Sequence, residues 1–485
     1  MLGIILTIIG RRAMEPIGRE REKKILQKLL NSEEAELLAV YGRRRIGKTF
    51  LIKEFFSDKG LFFELTGILR GRTSEQLWNF AETVTSTFKL KTPLPTPKNW
   101  QKAFSTLLEQ LEKVPESQKV ILFFDELPWL ATRRSNMLRT LEYNWNRHLS
   151  RRKNLIVVLC GSAASWMIKK VVQNRGGLHG RLTQKIHLKP FSLLETENYL
   201  KAKHIFFDRK QLIELYMLTG GVAKYLNHIE KGRSSMENIQ SLCFSPNGFL
   251  TDEFQPLFAS LFDDSEKHLA IVKALAKSHK GLTLNALTKA TSKTLGGHFT
   301  AALNDLESSG FIQSIPFFGR KKRDSLYRLL DEYSLFYLTW VDRKEQILNF
   351  HRSPKFLSWA GYAFENICIK HSRQIIEALK LPLIAKSLSY WDKQPGELPG
   401  AQIDLVIERT DRCINLLEMK FCEDEFTITK EYGRLLNQRR STFSQILKSK
   451  RTIFNTLVTP FGAAKSPPYL SAVDQELTLD ALFSY

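Results

Sequence analysis

Gly42-Arg43-Arg44-Arg45-Ile46-Gly47-Lys48-Thr49 satisfies every fixed position of the phosphate-binding pattern G-x-x-x-x-G-K-[ST]. The stretch follows an apolar run, Leu37–Tyr41, and leads into the helically periodic Thr49–Phe56, so the loop sits between a strand and a helix. The two glycines let the main chain curl so that successive N–H groups point at an anion, and the helix N-terminus adds partial positive charge. Gly42, Arg45, Ile46 and Gly47 are therefore expected to line the phosphates of a nucleotide. Lys48 is expected to reach the β- and γ-phosphates, and Thr49 to hold Mg²⁺ through its hydroxyl. This reading makes ATP and Mg²⁺ the cofactors.

Downstream, Val120–Phe124 are five consecutive apolar residues, as in a parallel strand buried on both faces. They end in Asp125-Glu126, at the end of the strand where open α/β sheets place their ligands. Asp125 is expected in the Mg²⁺ shell, and Glu126 is expected to polarise the attacking water. Gly60–Thr66 reads as a further strand. Ser74–Phe88, Lys98–Lys113 and Asn136–Leu149 read as helices. Leu155–Cys160 is another buried strand, followed by Gly161-Ser162, and Gln184–Leu188 is the last of the set. Arg181, in Leu178–Thr183, is a candidate for the transition-state phosphate, acting within its own chain or across a subunit boundary in a homo-oligomer.

The chain has 485 residues, enough for two to four domains. Its net charge of +22 comes from 72 basic and 50 acidic side chains, and the basic residues recur along the whole length. That balance favours a polyanionic partner, DNA before any membrane surface. Five scattered cysteines with no paired spacing exclude a disulfide framework or a zinc site and suggest a reducing, cytoplasmic setting. Leu2–Ile9 is too short to span a bilayer and lacks the features of a secretory leader, and either Met1 or Met14 could be the start.

Past Pro190 the pattern turns helical to about Phe262 and includes Leu218-Thr219-Gly220-Gly221-Val222-Ala223-Lys224-Tyr225-Leu226. Ser265–Ser278, Thr283–Ala290 and Gly297–Ser308 then read as three short helices. Phe311–Phe318 and Tyr327–Leu330 follow as strands around a basic turn carrying Arg320, Lys321, Lys322 and Arg323. Three helices and a hairpin with a cationic tip outline a winged helix, whose third helix and tip are expected to neutralise DNA phosphates.

Beyond a helical connector, Gly361 is expected to open a helix running to about Leu379. Gln402–Glu408 and Ile414–Lys420 then read as a hairpin centred on Asp411. In that register Asp404 lies directly across from Glu418, with Cβ atoms about 5 Å apart. Lys420 shares their face, and Ile403, Leu405, Leu417 and Met419 point into a core. Two facing carboxylates need a cation between them. A divalent metal held by Asp404 and Glu418, with Glu365 as a third ligand and Lys420 stabilising hydroxide, would supply it.

The loop Gly42–Thr49, the strand ending in Asp125-Glu126 and the run Thr219–Leu226 together resemble the archaeal-type ATPase family, a branch of the P-loop ATPases close to AAA+ and STAND proteins. The resemblance runs from Glu15 to Asp331 and takes in Gly18-Arg19-Glu20 and Gly180-Arg181. Ala223 stands where that family usually has proline. The resemblance implies that Ser162 senses the γ-phosphate. From Tyr333 to Val458 the chain resembles the C-terminal domain often fused to these ATPases, similar to the PD-(D/E)xK restriction-endonuclease-like fold. Asp404, Glu418 and Lys420 match its motif, Glu365 its helical acidic position, and Ile403 replaces its proline.

The expected fold is therefore multi-domain α/β. It comprises a P-loop NTPase parallel sheet (residues 15–190), a helical lid (191–262), a winged helix (263–332), a helical connector (333–360) and a restriction-endonuclease-like α/β domain (361–460). The expected function is ATP binding and hydrolysis by a protein that acts on DNA through its winged helix and a metal-dependent nuclease-like C-terminal domain. The alternative is a nucleotide-switched regulatory module, binding DNA or a protein partner, whose C-terminal domain does not cut.

Overall fold

The structure, a computed structural model, describes residues 16–484 apart from 133, 174–175, 263, 322–323, 343–352, 395, 397–398 and 448–449. The apolar stretch Leu2–Ile9, both candidate start residues and the turn residues Lys322 and Arg323 lie outside the described residues. The chain divides into two compact units, Met1–Lys189 and Pro190–Tyr485. Among the described residues no helix is long and apolar enough to cross a membrane.

The first unit is built on five parallel strands: β1 (Glu36–Tyr41), β2 (Leu61–Thr66), β3 (Val120–Asp125), β4 (Leu155–Gly161) and β5 (Gln184–His187). Their order in the sheet is β2-β3-β4-β1-β5. β3 and β4 are buried at every residue, as continuous apolar runs in a doubly covered sheet require. The two faces separate cleanly by alternation. Leu37, Ala39, Leu122, Phe124, Val157 and Leu159 enter one core, and Leu38, Val40, Ile121, Phe123, Ile156 and Val158 the other. The carboxyl ends of β1, β3 and β4, side by side through β4, form the rim on which the site is built.

The second unit opens with helices at Leu193–Ala202, Arg209–Thr219, Ala223–Leu226, Ser235–Cys243 and Phe254–Leu261. The Gly220-Gly221 pair ends the second of these for steric reasons. Gly220 adopts φ 55°, and a Cβ there would lie 2.3 Å from a carboxylate oxygen of Glu332. A Cβ on Gly221 (φ 72°) would lie 2.0 Å from the carbonyl oxygen of Phe191. Ala223 is the first residue of its short helix, the position where proline is favoured because its missing N–H is not needed. Alanine fits the same backbone, so this departure from the family pattern is local.

Helices Ser265–Ala276, Leu284–Thr291 and Gly297–Ser308 follow, interleaved with β6 (Leu282–Thr283), β7 (Ile312–Pro316) and β8 (Ser325–Leu329), which pair antiparallel in the order β6-β8-β7. Beyond them, the helix expected from Gly361 begins at Pro354, with Ser353 as its cap, and runs to Lys370. The C-terminal sheet contains β9 (Ala385–Lys393), β10 (Ala401–Arg409), β11 (Cys413–Met419), β12 (Thr452–Val458) and β13 (Gln475–Leu477) in the order β13-β12-β11-β10-β9. β9, β10 and β11 pair antiparallel, and β11, β12 and β13 parallel, so the sheet extends past residue 460.

The hairpin register is the expected one: Leu405 pairs with Leu417, Val406 with Leu416, Ile407 with Asn415 and Glu408 with Ile414. Leu405, Leu417 and Met419 enter a core shared with the helices from Leu193 onward. Ile403 does not. A register shift between Ile403 and Val406 in the β9–β10 pairing breaks the alternation, and Ile403 packs with Val406, Leu416 and Phe443 instead.

Candidate functional site

Gly42 leaves β1 at φ 148°, and a Cβ there would sit 2.1 Å from the carbonyl oxygen of Leu188, so only glycine fits. Arg45 (φ 71°) and Gly47 (φ 92°) take left-handed conformations, which curl the loop before the helix Lys48–Phe56 begins. Arg19 steadies the far side by donating to the carbonyl oxygen of Ile46 at 3.3 Å. Lys48 folds back into the loop. Its buried Nζ donates to the carbonyl oxygens of Gly42 (3.0 Å) and Arg43 (2.8 Å) and to the hydroxyl of Ser162 (3.0 Å). Burial pulls the Lys48 ammonium below its ordinary range, although Cys160, Glu126 and Asp125 oppose the shift.

Thr49 donates its hydroxyl to Oδ2 of buried Asp125 at 2.7 Å, and the N–H of Glu126 caps Oδ1 at 3.0 Å. Glu126 itself sits at φ 47°, ψ 50°, an uncommon conformation for a residue with a side chain. Ser162, the first residue past β4, holds the Glu126 carboxylate twice, through its N–H (3.0 Å) and its hydroxyl. The loop, the end of β3 and the end of β4 thus bring together Gly42, Arg45, Ile46, Gly47, Lys48, Thr49, Asp125, Glu126 and Ser162. A hydroxyl beside a carboxylate is a donor set that fits Mg²⁺, so Thr49 and Asp125 would hold that ion beside a phosphate chain. Arg181 lies in an exposed turn.

The second cluster lies on the C-terminal sheet. Asp404 and Glu418 are both buried, and the N–H of Met419 donates to Asp404 Oδ2 at 3.4 Å. Two of the three acidic groups that the sequence singles out, Glu418 and Glu365, meet basic ones. Glu418 takes an ion pair from Lys420 at 2.9 Å, another from Arg439 at 2.7 Å, and a hydrogen bond from the Tyr432 hydroxyl at 2.5 Å. Glu365 takes one from Arg328, on β8, at 3.0 Å. Burial raises the carboxyl of Asp404 well above the usual range, reinforced by the neighbouring Glu418 and Glu365. Burial also acts to raise Glu418, but Lys420, Arg439 and Tyr432 more than offset it and hold the group below its ordinary value.

Side-chain donors already occupy part of this set: Glu418 accepts from Lys420, Arg439 and Tyr432, and Glu365 from Arg328, while Asp404 accepts, among the described residues, only from a main-chain N–H. Among the described residues no group of three or more His, Cys, Asp and Glu side chains is placed to hold a metal ion. Arg328, Arg439 and Tyr432 were not among the residues expected from the sequence. The helix Lys430–Ile446 offered one signal, because Tyr432 and Arg439 lie seven residues apart and so share a face. The expected cationic tip of the β7–β8 hairpin is also engaged. Arg320 pairs with Asp392 of β9 at 3.0 Å and stacks on Phe317, while Lys321 is exposed.

Residues 17–229 match the family model of an ATPase domain found predominantly in Archaea. The chain carries an archaeal-type ATPase domain. The archaeal-type ATPase domain thus spans the whole first sheet and the opening helices of the second unit. An uncharacterized protein of Methanocaldococcus jannaschii, MJECL04, is 22% identical over 426 residues, covering 84% of this chain and 87% of that protein. A second protein of the same organism, the uncharacterized ATP-binding protein MJ1659, is 27% identical over 312 residues, 55% of this chain and 85% of the relative. Among solved structures, the Walker-type ATPase PABY2304 of Pyrococcus abyssi is 18% identical over 67% of this chain and 96% of its own, with a TM-score of 0.49.

Proposed function

We propose that the protein hydrolyses ATP and uses the hydrolysis to control a second unit that engages DNA without cutting it. The observation that carries the first part is the set of partners at Lys48. Its ammonium rests on two carbonyls and a hydroxyl, all neutral, so a phosphate can take it without breaking an ion pair. The relative MJ1659, named as an ATP-binding protein, supports the same nucleotide.

In this reading the triphosphate lies along the loop main chain, with Lys48 on its β- and γ-phosphates and Thr49 and Asp125 holding Mg²⁺. The ion, when bound, would neutralise charge on the phosphates. Glu126 orients the attacking water and takes its proton. Ser162, bonded to both Lys48 and Glu126, links phosphate binding to release of the base. Arg181, being exposed, is available to a phosphate held by a neighbouring copy.

For the second unit, the helix–strand order from Ser265 to Leu329 supports a winged helix, and the net charge supports a polyanionic partner. The helix Gly297–Ser308 contains no Lys or Arg and carries Asp305 and Glu307, so its phosphate contacts would have to come from elsewhere in the unit. The cations on Glu418 and Glu365 favour holding over cutting at the C-terminal sheet.

Two assays on the full chain test the proposal. Glu126→Gln is expected to lower ATP turnover by roughly 10²–10³-fold while leaving ATP binding intact. Plasmid DNA with Mg²⁺ or Mn²⁺, with and without ATP, is expected to be bound in a salt-dependent way and not nicked. Nicking that disappears in Lys420→Ala would establish the cutting reading instead.

A further inference from the structure

We propose that Arg44 is a specificity residue of the phosphate site, one that recognises the terminal phosphate of a nucleoside triphosphate and so separates it from the diphosphate. The assignment rests on the ATP reading above and deepens it.

The loop geometry places Arg44 beside the catalytic lysine. Lys48 Nζ lies 2.8 Å from the carbonyl oxygen of Arg43, and that carbonyl belongs to the peptide bond that begins Arg44. The side chain of Arg44 therefore leaves the main chain next to the Lys48 ammonium. The left-handed turn at Arg45 then carries the chain away toward Ile46 and Gly47.

The three arginines of the loop are not equivalent. Arg43 is buried, whereas Arg44 is half-buried and takes no hydrogen-bond or ion-pair partner among the described residues. The nearby carboxylates are engaged elsewhere, Asp125 by Thr49 and the Glu126 N–H, and Glu126 by Ser162. Two adjacent cations, neither of them ion-paired to a carboxylate, repel each other, and a dense negative charge between them relieves the repulsion. The terminal phosphate of a triphosphate supplies such a charge. A guanidinium can grip it with two parallel N–H groups, which an ammonium cannot do. A diphosphate ends one group short and leaves Arg44 without its ligand.

Equilibrium binding of Mg²⁺-ATP and Mg²⁺-ADP to the full chain tests this, comparing wild type, Arg44→Ala, Arg44→Lys and Lys48→Ala, each checked for an unchanged thermal transition. Arg44→Ala is expected to weaken ATP by roughly ten- to hundredfold, the range of one charge-assisted hydrogen bond. ADP should stay within about twofold, and Arg44→Lys should recover only part of the ATP loss. Equal losses for ATP and ADP, or no loss for either, would overturn the assignment while leaving the ATP site in place. If wild type binds neither nucleotide, or Lys48→Ala binds both as well as wild type does, the ATP reading itself falls and the role of Arg44 with it.

Discussion

Two clusters of buried charge, one under the phosphate loop and one on the C-terminal sheet, treat their cations in opposite ways. At the loop, Lys48 is bonded to neutral oxygens, and Asp125 is bonded to a hydroxyl and a main-chain N–H. No ion pair has to break before a phosphate and its metal arrive. On the sheet, Lys420 and Arg439 converge on one carboxylate and Arg328 pairs with another. A ligand at Glu418 or Glu365 must first displace a protein side chain. Both clusters combine lysine with two or more carboxylates, so composition alone does not separate them. Their hydrogen-bond partners do: the first is arranged to receive charge, and the second already has two of its carboxylates, Glu418 and Glu365, compensated.

The largest effect that should divide them is on stability. Glu418→Gln leaves Arg439 and Lys420 with a neutral partner, and because both cations are partly exposed the cost should be about 2–3 kcal/mol, below that of breaking a fully buried pair. Asp125→Asn breaks no ion pair and keeps an oxygen for Thr49, but its amide group would face the Glu126 N–H that Oδ1 accepts from, so its cost should be about 1 kcal/mol. Chemical denaturation of the two variants checks this, and equal losses would break the distinction. The Glu418 contribution also has a pH signature. Its folded pKa is below the ordinary 4.5, so the stabilisation is present above that value and is lost as pH falls through the folded pKa.

Acid sharpens the comparison further, because a different group in the second unit responds first. His371 is buried, its Nε2 accepts from the N–H of Leu193 at 3.3 Å, and burial lowers its pKa to about 4. The unfolded chain takes up that proton near pH 6.5 and the folded chain does not. The His371 contribution should therefore be complete above 6.5 and decline toward pH 4, by about 3 kcal/mol, against the opposite slope of the raised Asp404 carboxyl. His371→Gln, which keeps an acceptor for Leu193, should flatten the profile between those limits and leave the steeper fall below 4.5 that belongs to Glu418. A profile unchanged by the substitution would place the early loss elsewhere.

The phosphate loop was legible because its information is local, eight contiguous residues whose glycines and lysine have fixed geometric duties. The hairpin was legible for the same reason, since two strands and a short turn leave little choice of register, and Leu405–Leu417 through Glu408–Ile414 pair as expected. The compensation of its carboxylates was not legible. Arg439 comes from 21 residues beyond Glu418, and Arg328 from 37 residues before Glu365, on elements whose docking depends on the packing of the whole unit. Ile403 failed for a subtler reason, because one irregular step in the β9–β10 pairing turns a side chain to the other face without any mark in the hydrophobic pattern. The helix start at Pro354 did carry a mark, Ser353-Pro354, a capping residue followed by the residue best suited to a first helical position.

The smallest effect is also the most direct reading of the two environments, because it compares the same functional group in each. Burial lowers Lys48, and no carboxylate bonds to it. Burial acts on Lys420 too, but the ion pair with Glu418 outweighs it and raises the group above 10.5. Lys420 therefore contributes stability that is complete below 10.5 and is lost as pH rises through its folded pKa, whereas Lys48 loses its proton earlier, below 10.5. Lysine side-chain NMR of the full chain, with signals assigned from Lys48→Arg and Lys420→Arg, should show Lys48 titrating first. Adding ATP places anionic oxygen beside the Lys48 ammonium and should move its titration upward, while Lys420, already paired, should not respond. If Lys420 titrates first, or follows ATP as Lys48 does, then its pairing with Glu418 does not persist in solution, and the sheet cluster is as open to a ligand as the loop.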